Sequence, residues 1–198
     1  MNIAIDINTL RNLNKQINIC YEKETGKPFV DDNEELIKHD LKREIKFDSV
    51  QARSKFYFEN YPFEIFGCAP CMTNECPLDF EQWVEESENF DKDTINIMLV
   101  SPFESGLSIK ATMFFLSKWF PCREMYFPKQ STQIWDRCDV LVTSDEKLSK
   151  NKPDGKVLIL IENGTNKDLE QYADLSYETI DNMISDNFDF NKLYKKIK

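Results

Sequence analysis

Short, continuously apolar runs rich in β-branched residues punctuate the chain at Ile3–Ile7, Ile95–Val100, Glu124–Phe127, Val140–Thr143 and Val157–Ile161. Unbroken hydrophobicity, without strict alternation, is what a strand covered on both faces requires, as in a parallel sheet. Segments of helical period lie between these runs. Leu107, Ile109, Met113, Leu116 and Phe120 mark one that Pro121 ends, and Gln133–Arg137 and Asp145–Ser149 read as shorter ones. Strands alternating with helices predict an α/β fold: a Rossmann-like three-layer core around a central, mostly parallel five-stranded sheet.

The first two strands are about ninety residues apart, far beyond an ordinary crossover, so a structured insertion must fill the interval. Leu10, Leu13, Ile17 and Tyr21 share one helical face, and Ile37, Leu41 and Ile45 recur every four residues within Asn33–Ile45. The aromatic-rich "FYFENYPFEIFG" and the proline-started "PLDFEQWVEES" follow. The expected organisation is an α/β core over 1–9 and 94–198, with a mostly helical cap over 10–93. The terminal "ETIDNMISDNFDFNKLYKKIK" reads as one or two closing helices, with lysines at the last turn against the helix dipole.

Composition narrows the functional classes. Of 198 residues, 41% are hydrophobic and 13% aromatic, which suits a folded domain able to bury a sizeable core. The net charge of −10 opposes generic nucleic-acid binding, which needs clustered lysine and arginine. No apolar run approaches the roughly 20 residues that span a bilayer. The first residues have no basic start and carry Asp6 within their apolar segment, unlike a signal peptide. A cytoplasmic protein without membrane association is expected, with reduced cysteines.

Candidate chemistry gathers at strand ends. "IAIDINTL" brings a strand to Asp6 and Asn8, "NIMLVSP" brings one to Ser101, "YFPKQST" supplies Lys129, and "CDVLVTSDEKL" supplies Thr143, Ser144 and Asp145. This ordered set, with the large insertion after the first strand, resembles the haloacid dehalogenase-like (HAD) superfamily, in its 5′-nucleotidase or deoxyribonucleotidase branch. The resemblance implies that Asp6 matches the nucleophile, that Ser101 and Lys129 bind phosphate, and that Asp6, Asn8 and Asp145 hold Mg²⁺. In that chemistry a carboxylate attacks phosphorus to form an aspartyl-phosphate, and the metal neutralises charge that would repel the attack.

The chain departs from the pattern at two places. Asn8 stands where the family has the aspartate that acts as general acid, and an amide has no titratable proton near neutral pH. Thr143 and Ser144 stand where an acidic pair is expected. The implied function is a non-catalytic or weakly active binding or regulatory protein, with a protein or a nucleotide-like small molecule as partner. The alternative is a Mg²⁺-dependent phosphatase hydrolysing a nucleotide monophosphate through Asp6.

Each feature also has a simpler reading. Asp6 and Asp145 suit helix caps, Ser101 suits a cap near Glu104, and Lys129 suits a solvated surface. Cys68, Cys71 and Cys76 have the C-x₂-C-x₄-C spacing of a zinc knuckle but no local fourth ligand; His39, Cys122 or Cys138 would have to supply it. Packed thiols are the competing reading. The aromatic run Phe56–Phe66, beside Glu59 and Glu64, suits a buried core better than a base-stacking surface.

Overall fold

A computed structural model of the chain describes residues 1–26, 47–72, 76–90, 95–102, 106–120, 124–163 and 166–186. The helix expected over Asn33–Ile45 and the stretch from 187 onward lie outside the described residues. Two compact units emerge: one from residues 1–10, 72–103 and 122–198, the other from 11–71 and 104–121.

The first unit is an α/β fold around a parallel sheet. Its strands are β1 (Asn2–Asp6), β2 (Asn96–Val100), β3 (Met125–Tyr126), β4 (Val140–Thr143), β5 (Val157–Ile161) and β6 (Leu175–Tyr177), in the spatial order β3-β2-β1-β4-β5-β6. Every pairing is parallel, and β1 lies between β2 and β4, with Asp6 opposite Val100 and Ile5 opposite Val142. All four residues of β4 and all five of β5 are buried, as their unbroken apolar runs require. Alternate positions Ala4, Met98, Val100, Leu141 and Leu158 share one core cluster with Ile134, Trp135, Cys138 and Leu148. The Trp135 indole N–H donates to the Leu148 carbonyl at 3.1 Å, satisfying the one polar atom of that ring.

The sixth strand corrects the expected count of five. "LSY" is three residues long, half-buried throughout and polar in the middle, so it carries none of the continuous hydrophobicity that reveals β4 and β5. The helix expected at Gln133–Arg137 is a 3-10 helix over Ser131–Asp136.

The second unit joins helices α1 (Leu13–Thr25) and α2 (Val50–Lys55) to two π-helical turns, Phe56–Asn60 and Phe63–Gly67. Asn12 caps α1 by accepting from the Lys15 N–H, and Gly26 closes it in the left-handed region at φ 65°. Helix α3 (Cys76–Phe90) belongs to the sheet unit, where it meets β2 and α6 (Ile180–Ser185). Helix α4 (Leu107–Trp119) belongs to the second unit, where it lies along the turn Phe63–Gly67. Relative to the cap expected over 10–93, the sheet unit therefore gains α3 and yields α4. Both helices bury an apolar side: Phe80 and Val84 of α3 are fully buried, as are Ala111 and Phe115 of α4.

Gly67 lets α4 approach closely, because a Cβ there would stand 3.1 Å from the Ala111 carbonyl oxygen. Buried Arg11 donates to the Phe66 carbonyl at 3.0 Å and to the Thr112 hydroxyl at 2.6 Å, with its guanidinium facing the rings of Phe66 and Phe115. The aromatic run contributes Phe56, Tyr61 and Phe66 to the buried cluster of this unit, as the core reading anticipates. Among the described residues no helix is long and apolar enough to cross a membrane.

Carboxylates fasten the amino-terminal edge of the sheet. Asp139, just before β4, accepts the Asn2 N–H at 2.8 Å and pairs with Lys156 at 3.3 Å; Asp174, just before β6, accepts the Leu158 N–H at 2.9 Å and pairs with Lys152 at 2.8 Å. Burial pushes the Asp139 carboxyl up, but the Asn2 N–H, Lys156 and the terminal ammonium together hold it below its ordinary value.

Because this folded value is depressed, Asp139 contributes stability above the ordinary carboxylate range, and the contribution disappears as pH falls through the folded value. Asp139→Asn is expected to cost about 1 kcal/mol at neutral pH, a modest loss because the Lys156 pair is partly solvated. Urea denaturation at neutral and acid pH measures it; the difference between the two proteins should vanish at the acid end.

Candidate functional site

In a parallel sheet, loops at the carboxyl ends of the strands form a crevice where the strand order reverses direction. Here the reversal falls between β1 and β4, and Asp6 and Thr143 are the last residues of those strands. The register that sets Ile5 opposite Val142 brings the next pair, Asp6 and Thr143, side by side. The Thr143 hydroxyl donates to Asp6 Oδ2 at 2.8 Å. On the other oxygen, Oδ1 accepts the Asn8 N–H at 2.9 Å, which makes Asp6 the N-cap of a 3-10 turn over Ile7–Thr9. The Thr9 hydroxyl returns to the Asp6 carbonyl at 2.7 Å. Asp6 itself is 1% exposed.

The same threonine reaches Asp145. Thr143 Oγ1 accepts the Asp145 N–H at 3.1 Å while donating to Asp6, so one hydroxyl bridges the two acidic residues. The Asp145 carboxylate accepts the Leu148 N–H at 2.7 Å as N-cap of α5 (Glu146–Lys150), and the Ser149 hydroxyl donates to its carbonyl at 2.8 Å. Asp145 is thus a buried helix cap, in line with its simpler reading.

The other residues fall at different depths. Ser101 is buried one residue past β2, beside the end of β1, and its N–H donates to the Tyr126 carbonyl at 3.2 Å. Asn8 is half-buried on the turn after β1. Lys129 is exposed on the loop after β3. Asp6, Ser101, Thr143 and Asp145 therefore share the carboxyl edge of the sheet, whereas Lys129 remains at its surface.

The carboxylates that would hold Mg²⁺ already accept hydrogen bonds from the protein. A hard divalent cation takes its ligands from several oxygens, usually including carboxylates. Asp6 accepts hydrogen bonds on both carboxylate oxygens, and Asp145 turns an oxygen to its own helix. Among the described residues, no three His, Cys, Asp or Glu side chains gather as a metal site would need.

Of the cysteines expected to form a zinc knuckle, only Cys68 and Cys71 have described side chains. Cys68 is exposed and Cys71 half-buried, both as free thiols, and burial pushes the Cys71 thiol up to about 11 despite Lys118. Cys138 is a core thiol, pushed up to about 12 by burial. The side chain of Cys76, together with His39 and Cys122, lies outside the described residues.

A cleft of about 350 Å³ is lined by Lys152, Lys156, Val157 and Asp174, at the amino ends of β5 and β6. It is at the opposite edge of the sheet from Asp6, and its two lysines are already paired with Asp174 and Asp139.

Thr143 is the residue whose role the sequence pattern conceals. Its position as an absent acid is visible in "VLVTSD", but its bond to Asp6 appears only once β1 and β4 are paired. Thr143→Val keeps the shape and removes the bridge, leaving a buried carboxylate short of a donor, so the expected loss is about 2 kcal/mol. Thr143→Ser keeps the hydroxyl and should lose less than about 1 kcal/mol. Chemical denaturation of both variants checks the order. In comparisons with known proteins, no family model and no curated protein matches this chain.

Proposed function

We propose that this chain is a HAD-like protein with a degenerate active site, serving as a non-catalytic or weakly active binding or regulatory protein. The observation that carries the reading is the bond from the Thr143 hydroxyl to Asp6 Oδ2. An aspartyl nucleophile needs one carboxylate oxygen for phosphorus and commonly gives the other to the metal. Here an internal hydroxyl engages one oxygen and the Asn8 N–H engages the other. Both bonds favour the resting carboxylate over an attacking one. Asn8 in turn supplies no proton to a leaving alcohol and takes none from water. The partner of such a protein is another protein or a nucleotide-like small molecule.

One arrangement favours the alternative, a Mg²⁺-dependent phosphatase of nucleotide monophosphates: Asp6 ends β1 and Ser101 follows the adjacent β2, at the carboxyl edge where ligands of open α/β sheets bind. In that reading Asp6 is the nucleophile, Ser101 and Lys129 hold the phosphate, and Asp145 joins Asn8 around the metal.

A panel of nucleoside monophosphates, assayed for phosphate release with and without Mg²⁺, separates the two. The expected result is no release above the blank and a melting temperature that Mg²⁺ shifts by less than about 1 °C, since only a ligand of the folded state raises it. Mg²⁺-dependent release that Asp6→Asn abolishes would establish the phosphatase and end the non-catalytic reading.

A further inference from the structure

Helix α4 presents two unlike faces. Ala111, Thr112, Phe115 and Leu116 are buried. Leu107, Lys110, Met113, Phe114, Ser117 and Lys118 form the opposite stripe, at the spacings that share one side of a helix. Leu107, Met113 and Phe114 on that stripe are 45%, 47% and 51% exposed. A solvated helix face is ordinarily polar, and single exposed apolar residues are ordinary; three on one stripe of one helix form a patch. The charges of α4 are Lys110 and Lys118, with no acid, in a chain of net charge −10.

Helix α3 is its electrostatic opposite. It holds Asp79, Glu81, Glu85, Glu86 and Glu88 and no basic residue. Its outward stripe runs through Leu78, Gln82, Glu85 and Glu86, with Leu78 77% exposed. The helices match in length at 15 and 13 residues, each about 20 Å long.

From this complementarity we propose that the outer face of α4 is a self-association surface, occupied by the acidic outer face of α3 in a second copy of this chain. Lys110 and Lys118 meet Glu85 and Glu86 of that copy, and Leu107, Met113 and Phe114 leave water against Leu78 and the stems of the acidic side chains. An anionic membrane suits the face less well, because the net charge of the chain opposes approach to it. The proposal is independent of whether Asp6 is catalytic.

Sedimentation velocity of the intact protein, from micromolar to about 0.5 mM, tests it; one helix-on-helix contact is at the small end of interfaces and gives modest affinity. The expected result is concentration-dependent association at low salt, weakened roughly tenfold in about 0.5 M salt, where screening acts within a few Å. The double variant Lys110→Glu/Lys118→Glu should be monomeric, as should Glu85→Lys/Glu86→Lys. An equimolar mixture of the two should associate, because every facing charge pair is again opposite. This holds however the contact closes. Circular dichroism verifies that each variant is folded, and Phe114→Ser, which should also weaken association, carries the test if a charge variant is not. A wild-type protein that stays monomeric, a Lys110→Glu/Lys118→Glu protein that associates like wild type, or a mixture that fails to associate overturns the proposal. Wild-type protein that is monomeric yet co-sediments with phosphatidylserine vesicles overturns it in favour of a membrane surface.

Discussion

The hydroxyl of Thr143 joins two strand ends that are 137 residues apart in sequence. A carboxylate withdrawn from water as fully as that of Asp6 must be met by donors or lose its charge. One donor, the Asn8 N–H, is local and comes with the turn that follows β1; the Thr143 hydroxyl arrives only when β4 docks in register. The arrangement then continues through the Asp145 N–H to the cap of α5 and the Ser149 hydroxyl. A single side chain thus couples the end of the central strand to the start of a helix. A one-residue slip of β4 would turn Thr143 to the other face of the sheet and break the whole series.

The opposite edge of the sheet uses the same device with less burial. Asp139 and Asp174 each accept the N–H of a residue on the neighbouring strand, and each is paired with a lysine from the segment between α5 and β5. Solvent screens these pairs, so their contribution per bond is smaller than that of the Asp6–Thr143 bond in the drier interior. Their geometric effect is comparable, because strand-leading N–H groups at a sheet edge otherwise depend on water. The two edges differ in what remains for chemistry: lysines and acids that neutralise one another at the amino edge, and acids held by hydroxyl and backbone donors at the carboxyl edge.

Much of this fold is legible in the sequence. Strands buried on both faces announce themselves by unbroken apolar runs, and five of the six strands appear within about a residue of their expected bounds. The sixth, Leu175–Tyr177, is hidden because a short edge strand needs no continuous apolar character. The aromatic run shows that Phe56 and Phe66 seek a core, but nothing in its periodicity distinguishes the π-helical turns that bring them there. Which unit a helix joins is also hidden. An apolar stripe tells α3 and α4 to bury a side, without saying against what. The site divides in the same way. Asp6, Ser101 and Asp145 were identifiable as strand-end polar residues, whereas the partner that engages Asp6 was visible only as a departure from an expected acid.

That departure gives the order of motifs its physical meaning. Asp6 caps a turn and accepts the hydroxyl of β4; Asp145 caps α5; Ser101 is packed beside the end of β1. Asp6 and Asp145 serve the local architecture in this way whether or not any substrate arrives. A phosphatase would need the same positions for a different purpose, with carboxylate oxygens turned to a metal and a proton donor in place of Asn8. The present set satisfies the first demand fully: the buried carboxylates are bonded, and the strand and helix ends are closed. Asn8 brings an amide to the turn after β1, with no titratable proton near neutral pH. Folding alone therefore gives Asp6 and Asp145 a structural purpose, since each meets donors of the strand and helix ends around it.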